Sequence, residues 1–282
     1  MKPLNDQERA SIFAAYIEPR ILRIQPPSDT PLFISIGGQP GSGKTLALKR
    51  FLGVAYPQRQ VYTIIGDEYR AFHPNYSSFI KHVDPEVMPR ETADFSGDMV
   101  RRSLQYVSVY KCDTCLEGTF RQVDMVKNTI SRFRDAGFRT HAVVLAVPPA
   151  LSLLGCIERY ITAKLSDVNA RWTPLDLHDD GVKGTRTVVQ ELGKLSKLCR
   201  LTIVDRDGKF HFDKNPVYCG KQNACEESPE AVLYRLQKDR NALVFYQRKK
   251  KELMDLSRKE GLDETVNYAL RHADSLSKEL QI

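Results

Sequence analysis

Gly38-Gln39-Pro40-Gly41-Ser42-Gly43-Lys44-Thr45 satisfies the pattern G-x-x-x-x-G-K-[ST], and its flanks decide how it is read. Before it, Leu32 to Ile36 is a short apolar run stopped by Gly37 and Gly38, the pattern of a buried strand. After it, Lys44 to Leu52 carries helical spacing. Strand, glycine loop and helix in that order make a phosphate cradle. The glycines let the backbone close around phosphate oxygens, so that successive N–H groups and the positive end of the helix face the anion. Lys44 adds a point charge at the β- and γ-phosphates, and the Thr45 hydroxyl is placed to hold Mg²⁺ against the same phosphates. The expected ligand is ATP or GTP. A glycine-rich turn without a ligand is the bland alternative, and a full match in its required setting argues against it.

Outward from the loop, apolar runs recur at Val61 to Ile65, Thr114 to Leu116, Ala142 to Val147 and Leu201 to Val204. Helical stripes lie between them at Met99 to Val107, Val123 to Ala136 and Ala150 to Leu165. Strand alternating with helix predicts an α/β protein of the P-loop NTPase/kinase fold, a mostly parallel sheet flanked by helices. Ile12, Phe13, Tyr16, Ile17, Ile21 and Leu22 form the apolar face of a leading amphipathic helix, joined to the first strand by the Pro26-Pro27 link. After Val204, the turn Asp205 to Gly208 leads into a strand at Lys209 to Phe212. Beyond Cys225 the chain turns helical and charged, with Ser228-Pro229 as N-cap and first helical position. Residues 1–204 are thus expected to form the kinase core with its leading helix, and residues 205–282 a hairpin and helical C-terminal extension packed on it.

Composition sets outer bounds. Of 282 residues, 41% are hydrophobic and 27% charged, as in ordinary globular chains. No apolar run approaches the roughly 20 residues that span a bilayer, and Met1 to Arg20 carries charges throughout, so a cytoplasmic protein is expected without membrane association. Its six cysteines are expected to be reduced thiols. Cys112 and Cys115 form a C-x-x-C in Lys111 to Leu116, which reads as a buried strand and lacks the second pair of a zinc site. The net charge of +7 suits anionic partners, and phosphate-bearing small molecules account for it as well as nucleic acid. The run Arg248 to Lys251 reads as a solvated helix face in preference to a nucleic-acid contact.

Two acids stand at strand ends, where parallel sheets deliver residues to a ligand crevice. Asp67 ends the second strand in Ile64-Ile-Gly-Asp-Glu-Tyr-Arg-Ala-Phe-His-Pro-Asn-Tyr76, placed to accept the proton of an attacking hydroxyl or to cap a helix. Glu117 closes the third strand in Leu116-Glu-Gly-Thr-Phe-Arg121, where it could support Mg²⁺, grip a substrate or face solvent.

Five blocks in order resemble the zeta-toxin family, the bacterial UDP-N-acetylglucosamine kinases of epsilon/zeta toxin–antitoxin systems. They are Gly37 to Thr45, Asp67 with His73-Pro74, Glu117 to Arg121, Glu158-Arg159-Tyr160, and Ala170-Arg171-Trp172-Thr173-Pro174. The resemblance covers roughly residues 32 to 180. It implies that Asp67 is the general base toward the sugar hydroxyl. Arg159 and Arg171 would contact nucleotide phosphates and the transferring charge, and Glu117, Thr119, Arg121 and Thr129 would line the sugar-nucleotide pocket. It also implies an epsilon-type antitoxin as partner. One departure is Ile65, where family members often carry a second Asp two positions before the base. The same loop, base and arginines would serve a kinase of another alcohol, such as an antibiotic, a nucleoside or a dinucleotide. A non-catalytic, nucleotide-dependent nucleic-acid-binding protein is the reading from a different class, marked by steep salt dependence.

Overall fold

The structure, a computed structural model, describes residues 4–24, 28–82, 87, 92–166, 170, 172–194, 199–214, 227–259 and 261–281. Among the described residues six strands form one sheet in the order β2-β3-β1-β4-β5-β6. They are β1 (Leu32–Gly37), β2 (Tyr62–Ile65), β3 (Thr114–Gly118), β4 (Arg139–Leu145), β5 (Arg200–Val204) and β6 (Phe210–Lys214). The first five run parallel, and β6 returns antiparallel along β5. The chain therefore has the mostly parallel, helix-flanked sheet expected from its alternating pattern.

Strand β1 is central and wholly buried, pairing with β3 on one side and β4 on the other. Burial on both faces explains why its sequence, broken only by Ser35, is a nearly continuous apolar run instead of an alternating one. Successive side chains still point to opposite faces. Phe33 joins a core with Ile17, Ile64, Met99, Phe133 and Val188. Leu32, Ile34 and Ile36 join another with Leu48, Phe51, Leu154, Ile157 and Leu270. On β4, Ala142 and Val144 belong to the first core, Val143 and Leu145 to the second.

The helices differ from expectation in instructive ways. The leading helix is Asp6–Ile12, a π-helical turn Phe13–Ile17, and Glu18–Ile24, with a capping box between Asn5 and Glu8 at its start. The segment from Lys111 is not strand throughout: Lys111 has φ 54, and pairing begins at Thr114. Between them Asp113 is spent on structure, accepting from Leu32 N at 2.8 Å and from Arg59 at 2.8 Å. Helix Leu175–Lys194, 20 residues long, was not anticipated because Gly181 and Gly184 weaken its pattern. Those glycines are close-approach positions. A Cβ at Gly181 would stand 2.7 Å from Pro40 Cδ, and one at Gly184 would stand 2.2 Å from Phe120 O. This helix is pressed against both the glycine loop and the loop after β3.

Helices Ala242–Lys259 and Asp263–Ser277 pack on helix Pro149–Leu165. Ser228 caps helix Pro229–Gln237 by accepting from Ala231 N at 3.2 Å. The basic run at 248–251 is only partly a solvated face. Lys249 pairs with Glu158 at 2.6 Å, and Lys250 with Asp274 at 2.7 Å, so two of its cations tie helices together. No helix among the described residues is long and apolar enough to cross a membrane.

Candidate active site

The carboxyl ends of β1, β2 and β3 open on a cleft of about 230 Å³. Pro40, Gly41, Lys44, Asp67, Glu117, Thr119, Arg121 and Arg159 all line it. Gly43 and Gly41 have φ of 91° and 74°, the left-handed region that the loop needs as it turns into helix Lys44–Ala55. Gly41 is doubly constrained, since a Cβ there would lie 2.0 Å from Ser152 O. Gln39 is buried and donates to Val147 O at 2.7 Å, tying the loop to the chain after β4. Gly38 lies close to Leu145, and Ser42 is fully buried.

Lys44 is 8% exposed and donates to the carbonyls of Gly38 and Gln39, both at 3.0 Å. Burial pulls its ammonium below the ordinary lysine range, against the carboxylates of Glu117 and Asp67, which favour the charge. Glu117 is shifted the other way. Burial raises its carboxyl above the usual range, opposed by Lys44 and by the Thr45 hydroxyl, which donates to its Oε2 at 3.0 Å. Two oxygen groups thus meet beside the loop cation.

Asp67 lies two residues past the end of the strand it was expected to close. Strand β2 stops at Ile65, and Asp67 sits in the first turn of the short helix Gly66–Tyr69, with its side chain 51% exposed. Arg70 Nε donates to Asp67 Oδ1 at 3.2 Å, and its Nη1 donates to Thr92 Oγ1. Arg70 also lines the cleft, as does Ser96, whose hydroxyl donates to Gly66 O at 2.6 Å. Neither residue was singled out from the sequence. For Arg70, the signal was its position three residues after Asp67 on a helical turn.

Arg159 projects from helix Pro149–Leu165 and donates to Thr173 Oγ1 at 2.8 Å. Its neighbour Tyr160 packs edge-on against Trp172, rings 5.0 Å apart, so two of the recognised blocks meet in space. Arg171 lies outside the described residues. Thr119 accepts from Arg121 Nε at 3.0 Å. Both residues, with Glu117, also face an adjoining cavity of about 640 Å³ lined by Val100, Leu104, Phe120, Met125 and Thr129. Thr129 therefore belongs to this second space, its hydroxyl turned to Met125 O at 2.7 Å.

Residues 19–216 match the Zeta toxin family, more than half of the chain. The chain belongs to the zeta-toxin family. It is 32% identical over 181 residues to Toxin zeta of Enterococcus hirae, covering 64% of this chain and 62% of that protein. It is 31% identical over 202 residues to Toxin PezT of Streptococcus pneumoniae, covering 70% and 74%. The match thus spans about three-fifths of the length of the first of these relatives. A solved structure of the PezAT chromosomal toxin–antitoxin system of Streptococcus pneumoniae superposes with a TM-score of 0.73 at 26% identity, over 90% of this chain and 99% of that one. The zeta-toxin likeness in three dimensions therefore reaches further along the chain than the family match does.

Proposed function

We propose that this zeta-toxin family member is a phosphotransferase that moves the γ-phosphate of ATP or GTP onto a hydroxyl of UDP-N-acetylglucosamine or a related UDP-amino sugar. The observation that carries the reading is the convergence of Lys44, Asp67, Glu117 and Arg159 on one cleft at the mouth of the glycine loop. A cation, a half-exposed carboxylate, a second acid and a guanidinium around a phosphate cradle supply what phosphoryl transfer needs.

In this reading the loop amides and Lys44 hold the β- and γ-phosphates. Asp67 accepts the proton of the acceptor hydroxyl, whose oxygen bonds to the γ-phosphorus as the bond to the nucleoside diphosphate breaks. Arg70, bonded to Asp67 Oδ1, holds that carboxylate in place. Arg159, together with Arg171 by motif, neutralises charge spreading over the equatorial oxygens in flight. The Thr45 hydroxyl and the Glu117 carboxylate are hard oxygen donors that suit Mg²⁺, and Thr45 would ligate it beside the phosphates. When bound, Mg²⁺ neutralises phosphate charge as the γ-phosphoryl group leaves.

The adjoining cavity supports the acceptor half. Arg101, Arg121 and Arg132 line it beside Glu117, Thr119 and Thr129, a mixture of cations and polar groups over an apolar floor that suits a nucleotide sugar carrying a diphosphate. The likeness to the PezAT toxin–antitoxin structure supports an epsilon-type antitoxin as protein partner, and the reaction would take place in the cytoplasm. To test the reading, purified chain is incubated with γ-labelled ATP, Mg²⁺ and a panel of UDP-amino sugars, nucleosides and aminoglycosides. Label entering UDP-N-acetylglucosamine supports it, and label entering another alcohol alone refutes the acceptor assignment.

A further inference from the structure

The turn between β5 and β6 grips the glycine loop from behind. Arg206 Nε donates to Ser42 O at 3.0 Å, and its Nη2 donates to Gly41 O and to Leu151 O, each at 3.1 Å. The turn is itself well fixed: Asp205 Oδ1 accepts from the N–H groups of Asp207 and Lys209, and Asp205 Oδ2 meets His211 Nε2 at 2.8 Å. Gly208 completes it with φ 78. From the loop's own helix, Arg50 reaches back to Asp207 Oδ1 at 2.6 Å. Loop and turn therefore hold each other at two points.

Two features make Arg206 more than a surface brace. Two of its three partners are backbone carbonyls of the loop, and burial pulls its guanidinium below its ordinary range while Glu158 favours the charge. Among the described residues every peptide is trans, so a carbonyl pulled toward Arg206 turns the N–H of the same peptide plane the opposite way. The Ser42 carbonyl shares its plane with the Gly43 N–H at the start of helix Lys44–Ala55, the end of a helix that attracts anions. The Gly41 carbonyl shares its plane with the Ser42 N–H, which closes the turn on Gln39 O at 3.3 Å. That same Gly41 carbonyl is packed so tightly that a Cβ on Gly155 would stand 2.4 Å from it.

We propose that Arg206 is the positioning residue of the glycine loop, holding the Gly41 and Ser42 carbonyls outward so that the Gly43 N–H faces the nucleotide phosphates. This rests on the nucleotide-binding reading above. The planar fork of arginine reaches three carbonyls at once, and a lysine ammonium on its single stem does not reproduce that geometry.

The test compares Arg206→Ala, Arg206→Lys and Lys44→Ala in the full chain, by calorimetry with Mg·ATP, by acceptor KM and by melting temperature. Loss of charge-assisted bonds should weaken ATP binding about 10- to 100-fold in Arg206→Ala, with acceptor KM unchanged. Added guanidinium ion should restore part of that affinity. Arg206→Lys keeps the partly buried cation, so it should melt with the wild type yet bind ATP about tenfold more weakly. Wild-type affinity in both Arg206 variants, or equal losses for nucleotide and acceptor, overturns the inference while Lys44→Ala still loses ATP. A wild-type chain that binds ATP no better than Lys44→Ala overturns the nucleotide reading and this inference with it.

Discussion

The hydroxyl of Thr45 donates to Oε2 of Glu117 across 3.0 Å, joining the first turn of the loop helix to the end of β3. The two residues are 72 positions apart, so the bond ties together two segments that are distant in sequence. Glu117 ionises against the cost of its burial, with Lys44 and Thr45 compensating only in part.

Glu117→Gln should therefore stabilise the fold at neutral and alkaline pH while lowering activity. A carboxyl whose folded-state pKa lies above its unfolded value destabilises the folded chain when ionised, and this penalty disappears as pH falls through the raised value. The difference in melting temperature between Glu117→Gln and wild type should shrink on acidification. A difference that grows on acidification would show that ionised Glu117 stabilises the fold.

His141 gives a second pH dependence, away from the cleft. It is fully buried between the Tyr56 hydroxyl at 2.8 Å and the Thr202 hydroxyl at 2.7 Å, and burial pulls its pKa down to about 3. The imidazole is neutral in the folded chain, whereas the unfolded chain protonates it at an ordinary value near 6.5. Stability from this group is complete above that value and is lost as pH falls toward 3. Denaturant titrations of His141→Gln between neutral and acid pH should give a flatter acid limb than wild type.

Lys44→Ala should remove the cation at the β- and γ-phosphates, weakening nucleotide binding and lowering turnover by about 10² to 10³. Calorimetry with Mg·ATP and initial-rate measurements check both, and wild-type turnover in this variant would contradict the loop assignment.

Arg159→Ala should reduce kcat more than it raises acceptor KM, since a guanidinium aimed at the transferring group is most valuable in the transition state. Arg171→Ala should behave likewise by its motif. A change confined to acceptor KM would make Arg159 an acceptor-binding residue instead.

Much of the fold was legible because burial leaves plain marks. Runs such as Leu32 to Ile36 and Leu201 to Val204 are apolar but for Ser35 and Thr202, as strands covered on both faces tend to be. Helix Leu175–Lys194 was not legible, because its glycines reflect contacts with Pro40 and Phe120 that only the folded chain brings about. The cleft divides the same way. The glycine loop announces itself through local geometry, and Glu117 through its strand end. Arg206 sits 164 residues from Ser42, in a turn whose sequence gives no hint of what it grips. Asp67 was placed at a strand end, and the structure puts it in the helical turn that follows, where Arg70 comes within reach.

The central claim is that Asp67 is the base for phosphoryl transfer to a UDP-amino sugar, and one measurement tests it most directly. Wild type and Asp67→Asn are each incubated with ATP, Mg²⁺ and UDP-N-acetylglucosamine, and the sugar nucleotide is followed by mass spectrometry over time. The account predicts a product heavier by one phosphoryl group with wild type, and formation slower by about 10² to 10⁴ with Asp67→Asn at unchanged ATP affinity. Equal rates from the two chains, or no phosphorylated sugar nucleotide from the wild type, would contradict it.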